Sequence, residues 1–120
     1  MIEKKLKSIN PKNNIKISSW KIPSLTDIDI TIRKTAQAQI NWSEIDLVSR
    51  LDFVNKLRRT LSKRSKEFST LIADEMGKPK NQGIGEINKC VWLCDYYLKN
   101  TEQILSDEYV ETEFYESFVT

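Results

Sequence analysis

The most extended pattern of apolar positions in the chain runs from residue 47 to residue 76. Asp46 can cap the first turn of a helix there, Gly77 can end the helix in the left-handed conformation, and Pro79 prevents the helix from resuming at once. The pattern predicts one long helix over 47–76. Its apolar residues recur three or four positions apart, which places them on one helical face: Leu47, Leu51, Val54, Leu57, Leu61, Phe68, Leu71, Ile72 and Met76.

Two further segments are predicted to be helices. The segment 24–39 begins with Ser24, whose hydroxyl can accept hydrogen bonds from the first turn, and Asp27 completes a start that resembles a capping box. Many of its residues are β-branched and have weak helix propensity, so we expect packing to hold this helix. The segment 81–105 carries another helical stripe, formed by Ile84, Ile87, Val91, Cys94 and Leu98.

Two other segments are predicted to be extended. Residues 6–22 alternate partly between apolar and polar side chains, and the turn Asn10–Asn14 divides them, so we expect a β-hairpin. The segment 112–120 carries Phe114, Phe118 and Val119 among acidic residues, which predicts a strand. The expected fold is therefore a single α+β segment that is mainly helical, with an N-terminal β-hairpin, three helices (one of them long) and a C-terminal strand.

Composition narrows the classes of function. The 120 residues include 19 Lys and Arg and 17 Asp and Glu, a net charge of +2. So small a charge does not favour a nucleic acid or a membrane as partner, and the sequence has no apolar run of the roughly 18 residues that a membrane-spanning helix needs. The charged amino terminus lacks the apolar centre of a signal peptide, so we expect a cytoplasmic location.

Residues that could carry chemistry are few. The chain has no histidine, so a serine–histidine pair is impossible, and two thiols cannot supply the four ligands of a zinc site. We interpret Cys90 and Cys94 as small apolar side chains in a helix interface, with a reactive or redox pair as the alternative. Gly83 and Gly85 form a G-x-G, but no strand precedes them as a dinucleotide-binding turn requires, so we interpret them as a loosely wound helix start.

Charged residues cluster on the predicted long helix. We interpret the cations there as a solvated face, because apolar residues interleave with them as the buried face. A docking surface for another protein and a nucleic-acid contact are the alternatives. Glu75 is expected to form a surface ion pair with Lys78 rather than to act as a general base. The cations are Lys56, Arg58, Arg59, Lys63, Arg64 and Lys66.

The passage from Ile72 to Pro79 contains E-M-G-K-P and resembles the signature of the NAD(P)-dependent aldehyde dehydrogenases. The resemblance covers about residue 8 to residue 120. Residues 90–97 resemble the succinate-semialdehyde dehydrogenase branch of the family. Asn14 stands where the family commonly has glycine, and asparagine can adopt the same backbone geometry. Other matching positions are Ile9-Asn10-Pro11, Trp42, Arg50, Leu57, Arg58, Gly85-Glu86, Tyr96-Tyr97 and Glu116-Ser117-Phe118-Val119.

The resemblance implies an activity for a complete enzyme. In this family a cysteine attacks the aldehyde, hydride passes to NAD or NADP, and a water activated by glutamate releases the acid. Those parts correspond to sequence beyond residue 120, so the resemblance assigns this chain no catalytic and no cofactor-binding residue. Neither Cys90 nor Cys94 corresponds to the nucleophile, and neither Glu75 nor Glu86 corresponds to the deacylating glutamate.

The resemblance also implies one small site. Many family members hold a monovalent cation, and its position maps here to the carbonyls of Ser8 and Ile9 and the carboxylate of Glu86. Oxygen ligands suit such a hard ion. The alternative is that Glu86 is only solvated.

Two functional hypotheses follow. The first is a truncated or partial NAD(P)-dependent aldehyde dehydrogenase, of a type that oxidises succinic semialdehyde when complete, with this chain inactive alone and binding no cofactor itself. The second is a helical module that binds a partner chain, such as the remainder of the dehydrogenase, or a second copy of itself. A relic without selected activity is a third possibility that the sequence does not separate from the second.

Overall fold

The computed structural model describes residues 5–113 and 116–119. The described part of the chain is mainly helical with two small sheets, which confirms the predicted fold class. In chain order its elements are β1 (Lys5–Ile9), β2 (Lys16–Lys21), α1 (Leu25–Ser43), α2 (Leu47–Lys63), α3 (Ser65–Met76), α4 (Lys80–Ile104), β3 (Glu108–Tyr109) and β4 (Phe118–Val119).

The first two strands form an antiparallel hairpin in which Leu6 lies opposite Trp20. Its turn is held by the backbone of Asn10, whose carbonyl accepts a 2.8 Å hydrogen bond from the amide of Asn14 and whose amide donates a 2.9 Å bond to Ile15. Asn14 has a φ of 58°, the left-handed conformation that asparagine adopts more readily than most residues. The sequence prediction for this turn is confirmed.

Helix α1 starts as predicted and ends later. The amide of Asp27 donates to the Ser24 hydroxyl at 3.1 Å, and the amide of Ser24 donates back to the Asp27 carboxylate at 2.9 Å, which completes a capping box. The helix continues beyond the predicted end at residue 39 because Trp42 packs edge-on against Phe53 of α2, with 5.4 Å between the ring centroids. Apart from Trp42, the side chains of α1 are exposed along the whole helix.

The predicted single helix over 47–76 is wrong, because the structure divides it into α2 and α3. The break lies at Arg64, whose φ of −101° and ψ of 16° depart from helical values. Six consecutive polar residues, 62–67, separate Leu61 from Phe68. That interval offers no apolar side chain to hold the backbone against a neighbour, and the helices on either side of it each pack on α4. The described residues therefore contain four helices instead of three.

The core is a narrow seam along α4. Gly83 lies so close to α3 that a Cβ atom built on it would be 3.1 Å from the Cα atom of Ser69. Of the predicted stripe on this helix, Ile87 and Cys94 are each 7% exposed and are the only buried hydrophobic residues in the part of the chain that the structure describes, whereas Ile84 is 37% exposed. The apolar contacts that hold α2, α3 and α4 together therefore concentrate on one face of one helix.

The predicted strand over 112–120 is also shorter than expected. Of its described residues, only Phe118 and Val119 form a strand, and they pair with Tyr109 and Glu108 of a strand that the sequence did not predict. A lone strand leaves its backbone groups unpaired, so the segment folds back on the residues that follow α4. The parts of the prediction that fall on residues 114, 115 and 120 lie outside the described residues.

The chain is elongated. Its radius of gyration is 21.1 Å and its extents are 67 × 41 × 26 Å, whereas a compact domain of this length has a radius of gyration of about 14 Å. Within the described residues, no helix is long and apolar enough to cross a membrane. Most of the described residues are thus exposed, and many of the exposed side chains are apolar.

Candidate functional site

Two of the three residues of the predicted cation site have side-chain partners elsewhere. The Ser8 hydroxyl donates a 2.6 Å hydrogen bond to the Glu75 carboxylate, and the Glu86 carboxylate accepts a 2.9 Å bond from the Lys78 ammonium. No hydrogen bond between described residues joins Ser8 or Ile9 to Glu86. The lysine holds the pKa of Glu86 below its ordinary value. Because an ammonium already neutralises this carboxylate, the geometry adds no support for the cation site, which stays a prediction.

The expected ion pair between Glu75 and Lys78 is wrong. Lys78 reaches forward to Glu86 on α4, while Glu75 binds Ser8 on β1. A left-handed residue, Gly77, separates the two side chains with a φ of 69° and turns the chain away from the helix that carries Glu75. These two contacts tie the end of α3 to the hairpin and to the start of α4.

Residues 76–79, the M-G-K-P part of the E-M-G-K-P passage, line a groove of about 560 Å³ together with the hairpin turn. Pro11 forms one side of it, and a Cβ atom on Gly77 would lie 3.2 Å from the Pro11 Cγ atom. Lys12, Lys78 and Lys80 line the groove together with Asp74. The groove therefore has mixed polar and apolar walls, and the passage forms a close contact between the hairpin turn and the helices α3 and α4.

The two cysteines differ in environment. Cys94 is buried in the seam, whereas Cys90 is exposed, and both are free thiols. The interpretation of the pair as interface residues is therefore correct for Cys94 and wrong for Cys90, because Cys90 lies on the outer side of α4. Among the described residues no group of three His, Cys, Asp or Glu side chains could hold a metal ion.

The cations of residues 56–66 do not form a continuous basic surface. Lys56 pairs with Asp52 at 2.7 Å, and Arg64 forms a charge-assisted pair with Glu67 at 2.5 Å. Arg58 pairs with Asp95 and so joins α2 to α4. With acidic partners on three of the cations, this surface suits solvent better than the phosphates of a nucleic acid.

An apolar cup lies where the end of α1 meets the first turns of α2 and the last turns of α4. Its volume is about 270 Å³. The Nε atom of Arg50 is buried there, and no described residue is a hydrogen-bond partner for it. We call this feature the Arg50 cup; its lining residues are Trp42, Leu47, Arg50, Leu51, Val54, Tyr97, Thr101 and Leu105.

The Arg50 cup could not be predicted from the sequence. Trp42, Arg50 and Tyr97 match positions of a family pattern, but residues this far apart in sequence come together only when the helices pack. One signal was available: Arg50 lies on the same helical face as Leu47, Leu51 and Val54, where a cation among apolar neighbours is unusual.

The described residues form a framework of helices and hairpins without a nucleophile and base in contact and without a glycine-rich phosphate cradle. The aldehyde dehydrogenase family model matches residues 2–120. The chain belongs to the aldehyde dehydrogenase family.

Two curated relatives within that family carry succinate-semialdehyde names, and others carry alpha-aminoadipic semialdehyde names. The chain is 27% identical over 112 residues to a probable succinate-semialdehyde dehydrogenase (NADP+) of Synechocystis sp., covering 93% of this chain and 25% of that protein. It is 31% identical over 101 residues to a succinate semialdehyde dehydrogenase (NAD(P)+) of Escherichia coli, covering 84% of this chain and 22% of that one. The chain thus spans about a quarter of the length of these relatives.

Solved structures show the same fold. A succinic semialdehyde dehydrogenase from Streptococcus pyogenes, crystallised in complex with NADP+, matches 93% of this chain with a TM-score of 0.87 at 18% identity, over 25% of its own length. At this identity the match shows the fold alone. The arrangement of hairpins and helices is therefore that of a corresponding part of aldehyde dehydrogenases.

Proposed function

We propose that this chain is the opening segment of an NAD(P)-dependent aldehyde dehydrogenase of the succinate-semialdehyde type, and that it serves as a framework on which the remainder of such an enzyme packs. The family match and the names of the two relatives support the class of reaction. The observation that carries the structural role is the uncovered apolar surface of the chain.

The size of that surface can be compared with a compact protein. The chain exposes 10546 Å², whereas a compact monomer of 14.0 kDa exposes about 6,700 Å². Part of the excess comes from the elongated shape, but it is several times the roughly 800 Å² that one partner loses in an ordinary interface. Such a surface suits permanent coverage by a large body of protein.

The same proposal includes inactivity of the chain by itself. Hydride transfer to a nicotinamide needs a site that holds the dinucleotide and a nucleophile that holds the aldehyde. The chain has no histidine, and its buried thiol, Cys94, is packed in the helix seam. In the proposed enzyme, NAD or NADP is bound by the remainder, which also supplies the nucleophile.

A reconstitution experiment tests the proposal. The E. coli relative would be produced without the segment that this chain matches and mixed with the chain, and succinic semialdehyde oxidation would be followed through reduction of NAD or NADP. We expect activity from the mixture and none from either polypeptide alone. The relative's own segment, supplied as a separate polypeptide, is the positive control. The framework role is contradicted if that segment restores activity and this chain does not.

Inactivity of the isolated chain is tested separately. Calorimetry with NAD and NADP should show no binding to the purified chain. Tight binding of either dinucleotide, or turnover of succinic semialdehyde by the chain alone, would contradict this part of the proposal.

The alternative is a helical module that binds another protein or itself. Helix α1 favours it, because Leu25 is 86% exposed and Ile32 is 62% exposed, and Trp42 near its end is its one side chain that is not exposed. Size-exclusion chromatography with light scattering tests this alternative. A monomer that binds no apolar dye would speak against it.

A further inference from the structure

The Arg50 cup contains a polar group without a partner. The Nε atom of Arg50 is buried and no described residue accepts a hydrogen bond from it. Nor does any carboxylate of the described residues pair with its guanidinium. A buried donor that has lost water without gaining an acceptor destabilises the free chain. The arrangement becomes favourable when an acceptor arrives from outside.

A second arginine of α2 shows what Arg50 lacks. Arg58, eight residues later and therefore near the same face of the helix, forms its ion pair with Asp95 of α4. At the level of Arg50 the cup is lined from α4 by Thr101 and Tyr97 instead of a carboxylate. The contact between α2 and α4 thus gives Arg58 a carboxylate partner and gives Arg50 none.

The rest of the cup favours a protein side chain as occupant. Its walls are apolar and include Leu47, Leu51 and Val54 from α2 and Trp42 from α1. Its volume of about 270 Å³ falls below the range of about 300–1,000 Å³ typical of small-molecule pockets. An apolar side chain with an acidic neighbour would fill the cup and meet the guanidinium.

We propose that the Arg50 cup is the anchor point for the remainder of an aldehyde dehydrogenase, which inserts an apolar side chain and places a carboxylate side-on against Arg50. The carboxylate would accept from Nε and from one terminal nitrogen, the paired geometry that arginine favours. This inference rests on the proposed function. The remainder of the enzyme is the proposed occupant of the cup because the chains of the relatives extend over about four times the length matched here.

Binding between the two polypeptides of the reconstitution experiment tests the anchor. The chain would be immobilised, and the dissociation constant of the truncated E. coli relative measured by interferometry for wild type and for R50M, R50K and R59M. Met keeps the length and apolar stem of Arg50 but donates nothing. Arg59 is exposed and controls for loss of one positive charge.

We expect R50M to weaken binding at least about tenfold, because a charge-assisted pair is lost. R50K should fall between R50M and wild type, since lysine keeps the charge but not the paired geometry, and R59M should stay within about twofold. The free R50M chain should be at least as stable as wild type in urea. Weaker binding therefore could not be attributed to unfolding.

Binding results that differ from these expectations would contradict either the proposed function or the anchor. If the wild-type chain does not bind, the proposed function fails and the anchor fails with it. If wild type binds and R50M binds as tightly, only the anchor is wrong. Equal losses in R50M and R59M would indicate general electrostatics and contradict it as well. If R50M instead abolishes a dimer of the chain in light scattering, the occupant is a second copy and the assignment to the dehydrogenase is wrong.

Discussion

Gly83 offers a direct test of the seam between α3 and α4. An added Cβ atom would lie 3.1 Å from the Cα, the Cβ and the carbonyl oxygen of Ser69. Two of these atoms belong to the backbone, so a side-chain rotation cannot relieve the contact and the helices must move apart. Gly85 lies two residues later on the same helix, and nothing is within 4 Å of its added Cβ atom. Comparing alanine substitutions at Gly83 and Gly85 therefore separates the effect of the packing contact from the effect of helix propensity.

Two effects of opposite sign determine how each substitution changes the free energy of unfolding. Alanine in place of helical glycine stabilises by about 1 kcal/mol, and G85A should keep that gain. Overpacking in a tight contact costs about 1–3 kcal/mol, so G83A should be about 0–2 kcal/mol less stable than wild type. The two variants should then differ by about 1–3 kcal/mol. At a urea m-value of about 1.5 kcal/mol/M, this corresponds to midpoints about 0.7–2 M apart.

Urea denaturation followed by circular dichroism measures this difference. Both variants lose a glycine and gain one methyl group, so their unfolded chains are closely matched. We expect the order G85A, wild type, G83A from most to least stable. Equal midpoints for G83A and G85A would show that α3 and α4 are not in close contact at Gly83 and would contradict the packed seam between them.

Three further predictions concern other parts of the fold. The hydrogen bond from Ser24 holds the pKa of Asp27 below its ordinary value. The cap is therefore fully formed above the unfolded-state pKa of Asp27 and is lost as the pH falls through its lower folded-state pKa. Helicity measured by circular dichroism should fall over that acid range. G77A should destabilise the chain by about 1–2 kcal/mol in urea, because alanine is strained at a φ of 69°. In a thiol-reactive dye assay Cys90 should react quickly and Cys94 slowly, because only Cys94 is buried.

Each of these predictions has a matched control. S24A should weaken that pH dependence, and an unchanged profile would contradict the capping assignment. G77N should cost less than G77A, because asparagine tolerates the left-handed conformation; equal costs would point to the contact with Pro11 instead. C90S should leave only the slow thiol, and a fast reaction in that variant would show that the seam is open.

Local signals in the sequence predicted local structure well. The Ser24–Asp27 box and the left-handed Asn14 were predicted because each depends on a few neighbouring residues. The break at Arg64 was not, although its cause is visible in the six polar residues that follow Leu61. Periodicity shows which face is apolar, but it does not show whether one straight helix can keep that face against a neighbour. That requires the position of α4.

The candidate site was less predictable because its contacts are tertiary. The Lys78–Glu86 pair and the Ser8–Glu75 hydrogen bond join residues 8 and 67 positions apart, and the sequence instead suggested the nearer Glu75 as partner of Lys78. The Arg50 cup depends on three helices meeting. A family pattern marked several of its residues without showing what they do.

The distribution of exposed apolar residues gives the chain two regions of unequal stability. Helices α2, α3 and α4 share a packed seam, whereas the hairpin and α1 join it through isolated contacts such as Ser8 with Glu75 and Trp42 with Phe53. Among the described residues 27 large hydrophobic side chains are exposed and two hydrophobic residues are buried. The three helices can therefore form a marginal unit by themselves, while the faces of α1 and the hairpin lack a surface to cover them. In the proposed enzyme, the stability of those two elements should depend on the concentration of the remainder that covers them.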